Sequence, residues 1–331
     1  MQTIAPHQAP HWDRHGLDYL ALLDQWHVVA RGRDIGHGVT VQVRLLGQDL
    51  MVWRSARGEL QAWAGRKSHH NGALLAVPVE LPPGLPQRHQ RDGQAYAVRE
   101  AYGLVWICMG SPPAELPHPP SWDAPDYQHV LTSPVSYRAN ALRCMDHFLH
   151  ESPVAASAHG RGPFDVLATT STAYEVQASE FGLFTTPLAV ALCEQEAQEM
   201  DQDSALARYH CLSPTVACIE KGVGEAQPWF VWCAWTPVAL DRASLWLMLC
   251  LPSRVEAPDR LAREQHELVL PEDERWLVES LRPFNLPLGA ADEAEAIGSP
   301  LSLAYRRWLH DLGLRRLARE RPFAGLDVLL A

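Results

Sequence analysis

Gly38-Val-Thr-Val-Gln-Val-Arg-Leu-Leu46 and, two residues on, Asp49-Leu-Met-Val-Trp-Arg54 decide the fold class of the first third of this chain. Val39, Val41, Val43 and Leu45 alternate with Thr40, Gln42 and Arg44. That period of two turns one face of a strand to a core and the other to water. Asp49–Arg54 is a second, more apolar strand candidate. Runs of the same kind, broken by Gly, Pro and Asp, lie at Gln25–Arg31, Gln94–Arg99 and Leu104–Cys108. Residues 25–108 therefore read as a small antiparallel sandwich or barrel.

Prolines set the punctuation. Pro78, Pro82, Pro83 and Pro86 mark Val77–Pro86 as an extended surface loop, and six prolines within residues 111–125 suit a stiff connection between domains. The second half opens with a strand candidate, His129–Ala139, and a helix from Asn140 to about His150 that Pro153 is expected to stop. Strand-like runs follow at Ala173–Ala178, Ala207–Leu212, Trp229–Trp235 and Ser244–Leu251. A helix near Ala257–Leu281, broken at Pro271, comes next. The closing helix runs to about Leu312 from Ser299 as N-cap and Pro300 at the first helical position. In it Leu301, Tyr305, Trp308 and Leu312 share a face, with Arg306, Arg307 and Asp311 expected to point away.

The 331 residues suffice for two domains with cores. The net charge is −11, and the excess of acid falls after residue 130, where 17 basic residues meet 27 acidic ones. An acidic second half argues against a nucleic-acid partner, and the mixed basic and apolar stretch from Arg315 to Arg321 reads as a packed terminal helix and tail. Only Lys67 and Lys221 are lysines, against 26 arginines. No apolar run approaches the roughly 18 residues of a membrane span, and the N-terminus lacks a signal-peptide pattern. The seven cysteines form no C-x-x-C and read as buried free thiols, so the expected location is a reducing cytoplasm. Glu194, Glu196, Glu199, Asp201 and Asp203 read as an exposed acidic loop.

Taken in order, six segments carry a resemblance: Trp26–Ala30, Val43–Trp53, Tyr102-Gly-Leu-Val-Trp-Ile-Cys-Met-Gly110, Tyr137-Arg-Ala-Asn140, Val278-Glu-Ser-Leu-Arg-Pro283 and Ala304-Tyr-Arg-Arg-Trp308. On these the chain resembles the oxygenase (alpha) subunits of Rieske non-haem iron oxygenases, in the branch of the vanillate and dicamba demethylases. The resemblance implies an α+β fold. A Rieske-like antiparallel β domain covers residues 20–125, and a helix-grip (START-like) domain, in which a curved sheet wraps a long helix, covers residues 126–331.

The family's metal motifs map poorly onto this sequence. Its [2Fe–2S] cluster uses C-x-H and C-x-x-H. Aligned on Gly72-Ala73, Ser68 stands at the first Cys and His70 at the first His, the second pair is absent, and no Cys precedes Cys108. The family's mononuclear iron motif, N-x-x-D-x-x-H-x-x-x-x-H plus a distal Asp, falls on Asp146–His159. There His147 replaces the Asn, His150 the bridging Asp and Pro153 the first iron His. Ala158 replaces the second, with His159 one place on, and the distal carboxylate is Asp273 or Glu274. No cofactor is expected on this reading. Should a rebuilt metal site exist, His150, His159 and Asp273 are its ligand candidates, while Asp146 and His150 otherwise read as an i, i+4 helix pair.

Three functions follow. The first is a degenerate Rieske oxygenase homologue, a non-catalytic partner or stabilising subunit of an intact paralogue, or else a homo-oligomer of the ring type that the resemblance implies. The second is a repurposed enzyme with His147, His150 and His159 as acid–base groups, since imidazole titrates near neutrality. The third is a small-molecule binding protein. Whether the chain is an enzyme at all stays open between them.

Overall fold

The computed structural model describes residues 22–70, 73–77, 96–155, 174–179, 182–191, 198, 204–269, 272–282, 285–286, 288 and 299–320. Strands β1 (His27–Arg31), β2 (Thr40–Leu45), β3 (Gln48–Arg54), β4 (Leu60–Ala64), β5 (Arg66–His70), β6 (Ala73–Val77), β7 (Ala97–Ala101) and β8 (Leu104–Cys108) form three small antiparallel sheets, ordered β1-β8-β7, β2-β3-β4 and β5-β6. The alternation at 39–45 does build β2, which pairs with β3 from Thr40↔Trp53 to Leu45↔Gln48. The intervening Leu46 and Gly47 both take positive φ, 49° and 78°. That is the two-residue turn whose twist matches its flanking strands. Leu46 accepts this conformation because the turn is docked: its N–H donates to Pro237 O at 2.6 Å, and Gly47 N–H donates to Val238 O at 2.9 Å.

The second half is dominated by a nine-stranded antiparallel sheet. Its members are β9 (Tyr127–Leu131), β10 (Val135–Tyr137), β11 (Val176–Ser179), β12 (Gly182–Thr185), β13 (Leu188–Ala191), β14 (Ser204–Ser213), β15 (Val216–Lys221), β16 (Trp229–Ala239) and β17 (Arg242–Pro252). The path is β10-β17-β16-β15-β14-β12-β11, with β9 on β17 and β13 on β14. The candidate strand His129–Ala139 is two strands, separated at Thr132–Pro134. Among the described residues, helices α1 (Ala141–Ala155), α2 (Pro258–Val269), α3 (Glu272–Ser280) and α4 (Pro300–Glu320) accompany the sheets. It is a mixed architecture, mostly antiparallel sheet, as the sequence implies.

Both faces of the large sheet are covered, which explains why β16 and β17 are apolar at nearly every position. Trp229, Val231, Cys233 and Trp235 join one core cluster with Leu142, Met145, Phe148 and Leu149 of α1. The alternate residues Phe230, Trp232 and Ala234 join Trp26, Val28 and Trp106 of the N-terminal half in another. Trp106 and Trp232 meet edge to face at 5.9 Å. Polar contacts cross the same seam. Thr236 Oγ1 donates to Val28 O and accepts from Trp246 Nε1, while the buried His27 lies between Leu22 O (2.8 Å) and Thr215 Oγ1 (3.4 Å).

Pro153 does not stop α1, which continues to Ala155. A proline at this position removes the N–H that would bond the carbonyl four residues back, at Leu149. Ser299 Oγ donates to Leu149 O instead, at 3.4 Å. Ser299 also caps α4 as expected, accepting from Ser302 N at 3.3 Å, and α4 runs past Leu312 to Glu320.

Candidate functional site

Helix α1 is the centre of the C-terminal half. Asn140 starts it: its Oδ1 accepts from Leu142 N at 2.9 Å, and its Nδ2 donates to Leu240 O at 3.1 Å, tying the helix to the β16–β17 turn. From Ala141 to Leu149 only Arg143 is not fully buried. A helix apolar on one side would bury one stripe; this one is enclosed on all sides, by the sheet and by α4.

Enclosure brings a carboxylate inside. Asp146 Oδ1 accepts from Ser302 Oγ (2.6 Å) and Arg306 Nε (3.0 Å), and Oδ2 accepts from Arg306 Nη2 at 2.7 Å. This is a two-pronged guanidinium–carboxylate pair with both oxygens occupied. The side chains are 9% and 14% exposed, so the pair is a clamp between α1 and α4. Arg306 thus turns inward, contrary to its expected outward position, because a buried carboxylate on the facing helix needs a cation. Asp146 takes this partner across the helix pair. No sequence spacing links positions 160 residues apart.

His147, the next residue on α1, is buried at 7% exposure. His150 also lies on α1, but its side chain is outside the described residues. The same holds for the side chain of Asp273, which lies on α3, for Ser68 and His70 on β5, and for His159 and the acidic loop altogether. Among the described residues no three His, Cys, Asp or Glu side chains gather as a metal site. Cys108, Cys144, Cys211, Cys218, Cys233 and Cys250 are free and buried, as the sequence suggests. Burial pushes the Cys233 and Cys250 thiols up to about 12, so these thiols are inert packing groups rather than nucleophiles.

A charged group on the opposite face of the sheet is tied down as well. Glu220 of β15 accepts from His210 (3.2 Å) and Arg208 (3.3 Å) of β14. The His210 hydrogen bond, with Arg208 adding to it, holds the Glu220 carboxyl below its ordinary range against the effect of burial. On the face that packs against α1, Lys221 stands directly across from Trp229. Lys221 is 7% exposed, and the Trp229 indole N–H is buried without a hydrogen-bond partner. Neither residue stands out as a site residue in its local sequence. The signal available was the alternation Ala217, Ile219, Lys221, which puts one of only two lysines on a core-facing row.

Residues 25–99 match the model of the Rieske [2Fe-2S] domain. The chain is 24% identical over 268 residues to the probable methylxanthine N7-demethylase NdmC of Pseudomonas sp. (strain TJI-51), covering 78% of this chain and 93% of that protein. The structure of NdmA of Pseudomonas putida CBB5 with caffeine superposes with a TM-score of 0.68 at 20% identity, over 91% of this chain and 94% of that one. Residues 25–99 are a Rieske [2Fe-2S] domain, and the chain shares the fold of NdmA over most of its length. A further relative, the oxidoreductase NdmD of Pseudomonas putida, is 25% identical over 120 residues; that match takes in 28% of this chain and one fifth (20%) of NdmD's length.

The domain match corrects one expectation. The sequence reading expected no cofactor, whereas the matched domain is an iron–sulfur domain and points to a cofactor rather than to none. Ligand positions are a few letters, whereas the signal of the domain is spread over 75 residues. The donor chemistry of that span is nevertheless unlike the usual pair of thiolates with a pair of imidazoles. Residues 25–99 contain no cysteine, and Cys108, the first in the chain, donates to Leu23 O at 3.3 Å within the core. The usual ligand set does not fit the residues of this domain.

Proposed function

We propose that this chain is a partner subunit of a Rieske oxygenase acting on a small aromatic molecule, and that it stabilises an assembly containing another member of the family. The observation that carries this reading is the Asp146–Arg306–Ser302 clamp. Beside the positions on α1 where the family resemblance places iron-site residues, the Asp146 carboxylate holds two helices together. A group saturated by a guanidinium and a hydroxyl serves packing rather than ligation. Helix α3 adds a surface that suits a partner: Trp276 is 71% exposed and Leu277 44%. Large exposed apolar side chains of this kind are candidates for contact with a partner. The similarity to a demethylase over most of both chains supports the choice of a family member as that partner.

The test is co-purification of the tagged full-length chain from its native host, with mass-spectrometric identification of what comes with it. A stoichiometric Rieske oxygenase carrying both Cys-His pairs supports the reading. Trp276→Ser should then release it while leaving the chain folded. Turnover of an aromatic methyl substrate by the chain alone, with a rate that collapses on changing His150 or His159 to Ala, overturns it in favour of a repurposed catalyst.

A further inference from the structure

Residues 111–126 connect the two halves and lie across the seam as a strap. Hydrogen bonds fix both ends. Trp26 Nε1 donates to Pro113 O at 2.9 Å, Arg99 Nη1 to Ala114 O at 2.8 Å, and Ser111 N to Asp24 Oδ1 at 2.6 Å. At the far end Asp126 accepts from Ser253 N through its carbonyl and from Gln227 Nε2 through its carboxylate, each at 2.7 Å. The middle is held by rings. Tyr102, in the turn between β7 and β8, meets His118 at 5.2 Å and Trp122 at 5.3 Å, and Trp122 meets His129 of β9 at 4.6 Å. Leu116 and Trp122 thereby pack on the core cluster in which Trp106 meets Trp232.

His129 is the weak point of that hold. Its Nε2 is buried without a hydrogen-bond partner among the described residues. A neutral ring leaves only a lone pair there, whereas protonation adds a charge and an N–H with no acceptor. On the face of His129, β17 presents Cys250 directly opposite, and burial keeps that thiol neutral. The strap presents the Ser121 backbone and the Asp123 carboxylate, which both favour the imidazolium. Burial outweighs them and holds the ring below its ordinary range. Farther along, His118 pairs with Asp123 at 3.4 Å, Glu115 and Asp123 lie near Tyr102, and Asp126 and Arg254 lie near Tyr127. Val130 turns to the other face of β9, toward the cluster that holds Leu261 of α2. Ser121 takes φ 57°, a left-handed conformation that a residue with a side chain adopts at a cost, so the closed strap depends on the contacts around it.

We propose that residues 111–126 form a strap that acid releases, with protonation of His129 as the trigger. Loss of the Trp122–His129 contact frees the middle of the strap while both ends stay bonded, and it uncovers the edge of the seam beneath Leu116 and Trp122. Because the closed strap favours the neutral ring, closure is complete above about pH 6.5 and weakens as pH falls, by up to about tenfold per pH unit. The device belongs to the chain by itself and does not depend on the subunit role proposed above.

Hydrogen exchange of the full-length chain, read by mass spectrometry at pH 7.5, 6.5 and 5.5 and corrected for intrinsic exchange, tests this. The reporters are the amides of Ala124, bonded to Ser121 O, and Tyr127, bonded to Ala124 O. Their protection should fall about 3- to 10-fold between pH 7.5 and 5.5, while amides within β16 and β17 keep theirs. In His129→Phe, which keeps a ring against Trp122 and cannot titrate, the fall should be lost. If His129→Phe does not fold, His129→Gln gives the same readout with a polar side chain. His118→Asn should leave the fall in place. Protection that stays constant or rises on acidification would overturn the proposal; a rise is what attraction between imidazolium and indole, or a tightened His118–Asp123 pair, would produce. So would a fall that persists in the folded His129 variant, a fall that disappears in His118→Asn, or loss of protection in β16 and β17 in step with the strap.

Discussion

Acidification should loosen the seam between the N-terminal sheets and the large sheet, and His27 should account for a measurable share. The ring is buried among Leu22, Thr215 and the strands, its Nε2–H donating to Leu22 O and its Nδ1 accepting from the Thr215 hydroxyl. Burial disfavours the imidazolium and lowers the ring from 6.5 to about 4, although the bond to Leu22 pulls the other way. The folded chain thus keeps His27 neutral where the unfolded chain binds a proton. Stability from this group is complete above pH 6.5 and falls as pH drops, reaching its full loss near pH 4. At about 1.4 kcal/mol per pH unit, the fall amounts to roughly 3 kcal/mol. Urea unfolding of the chain and of His27→Gln, followed by tryptophan fluorescence at pH 7.5, 6.5, 5.5 and 4.5, isolates the effect. Other acid-sensitive groups such as Glu220 contribute equally to both proteins. The variant should be less stable at pH 7.5 by about 1 kcal/mol, for one lost hydrogen bond of good geometry. Its stability should decline less steeply below pH 6.5, so that the two curves converge or cross by pH 4.5. Parallel curves over the whole range would refute the reasoning.

Other outcomes are equally specific. Arg306→Met should cost about 3–5 kcal/mol in thermal or chemical unfolding by leaving the Asp146 carboxylate buried and uncompensated, whereas Asp146→Leu with Arg306→Met should recover a good part of that loss. The six described thiols should not react with Ellman's reagent at pH 8 in the folded chain and should all react after unfolding in guanidinium, since burial both hides them and raises their pKa. Gly182→Ala should destabilise the chain by more than about 1 kcal/mol in the same unfolding assay. Gly182 has φ +128°, and an added Cβ would meet the Cys211 carbonyl of β14.

Much of the architecture was legible in the chain before any coordinates. The alternation Val39–Leu45 set β2, the apolar runs Trp229–Trp235 and Ser244–Leu251 set the cores of β16 and β17, and Ser299-Pro300 set the start of α4. These are local signals: the period of side chains along a strand and the donors freed at a helix end act within a few residues. The family, too, showed in short segments spread over the whole chain. What sequence reading misjudged depends on partners far away. Pro153 sits inside α1 because Ser299, 146 positions later, takes over the Leu149 carbonyl. Arg306 faces inward because Asp146 awaits it on another helix. The Leu46-Gly47 turn holds its conformation against β16 of the other half. Lys221 and Trp229 are unremarkable letters eight positions apart until antiparallel pairing sets them opposite each other. Local periodicity settles which elements form, because it is written in neighbouring residues. Which buried charge meets which partner is settled only when distant segments close on each other, since a Coulombic or hydrogen-bonded pair depends on separation in space rather than along the chain.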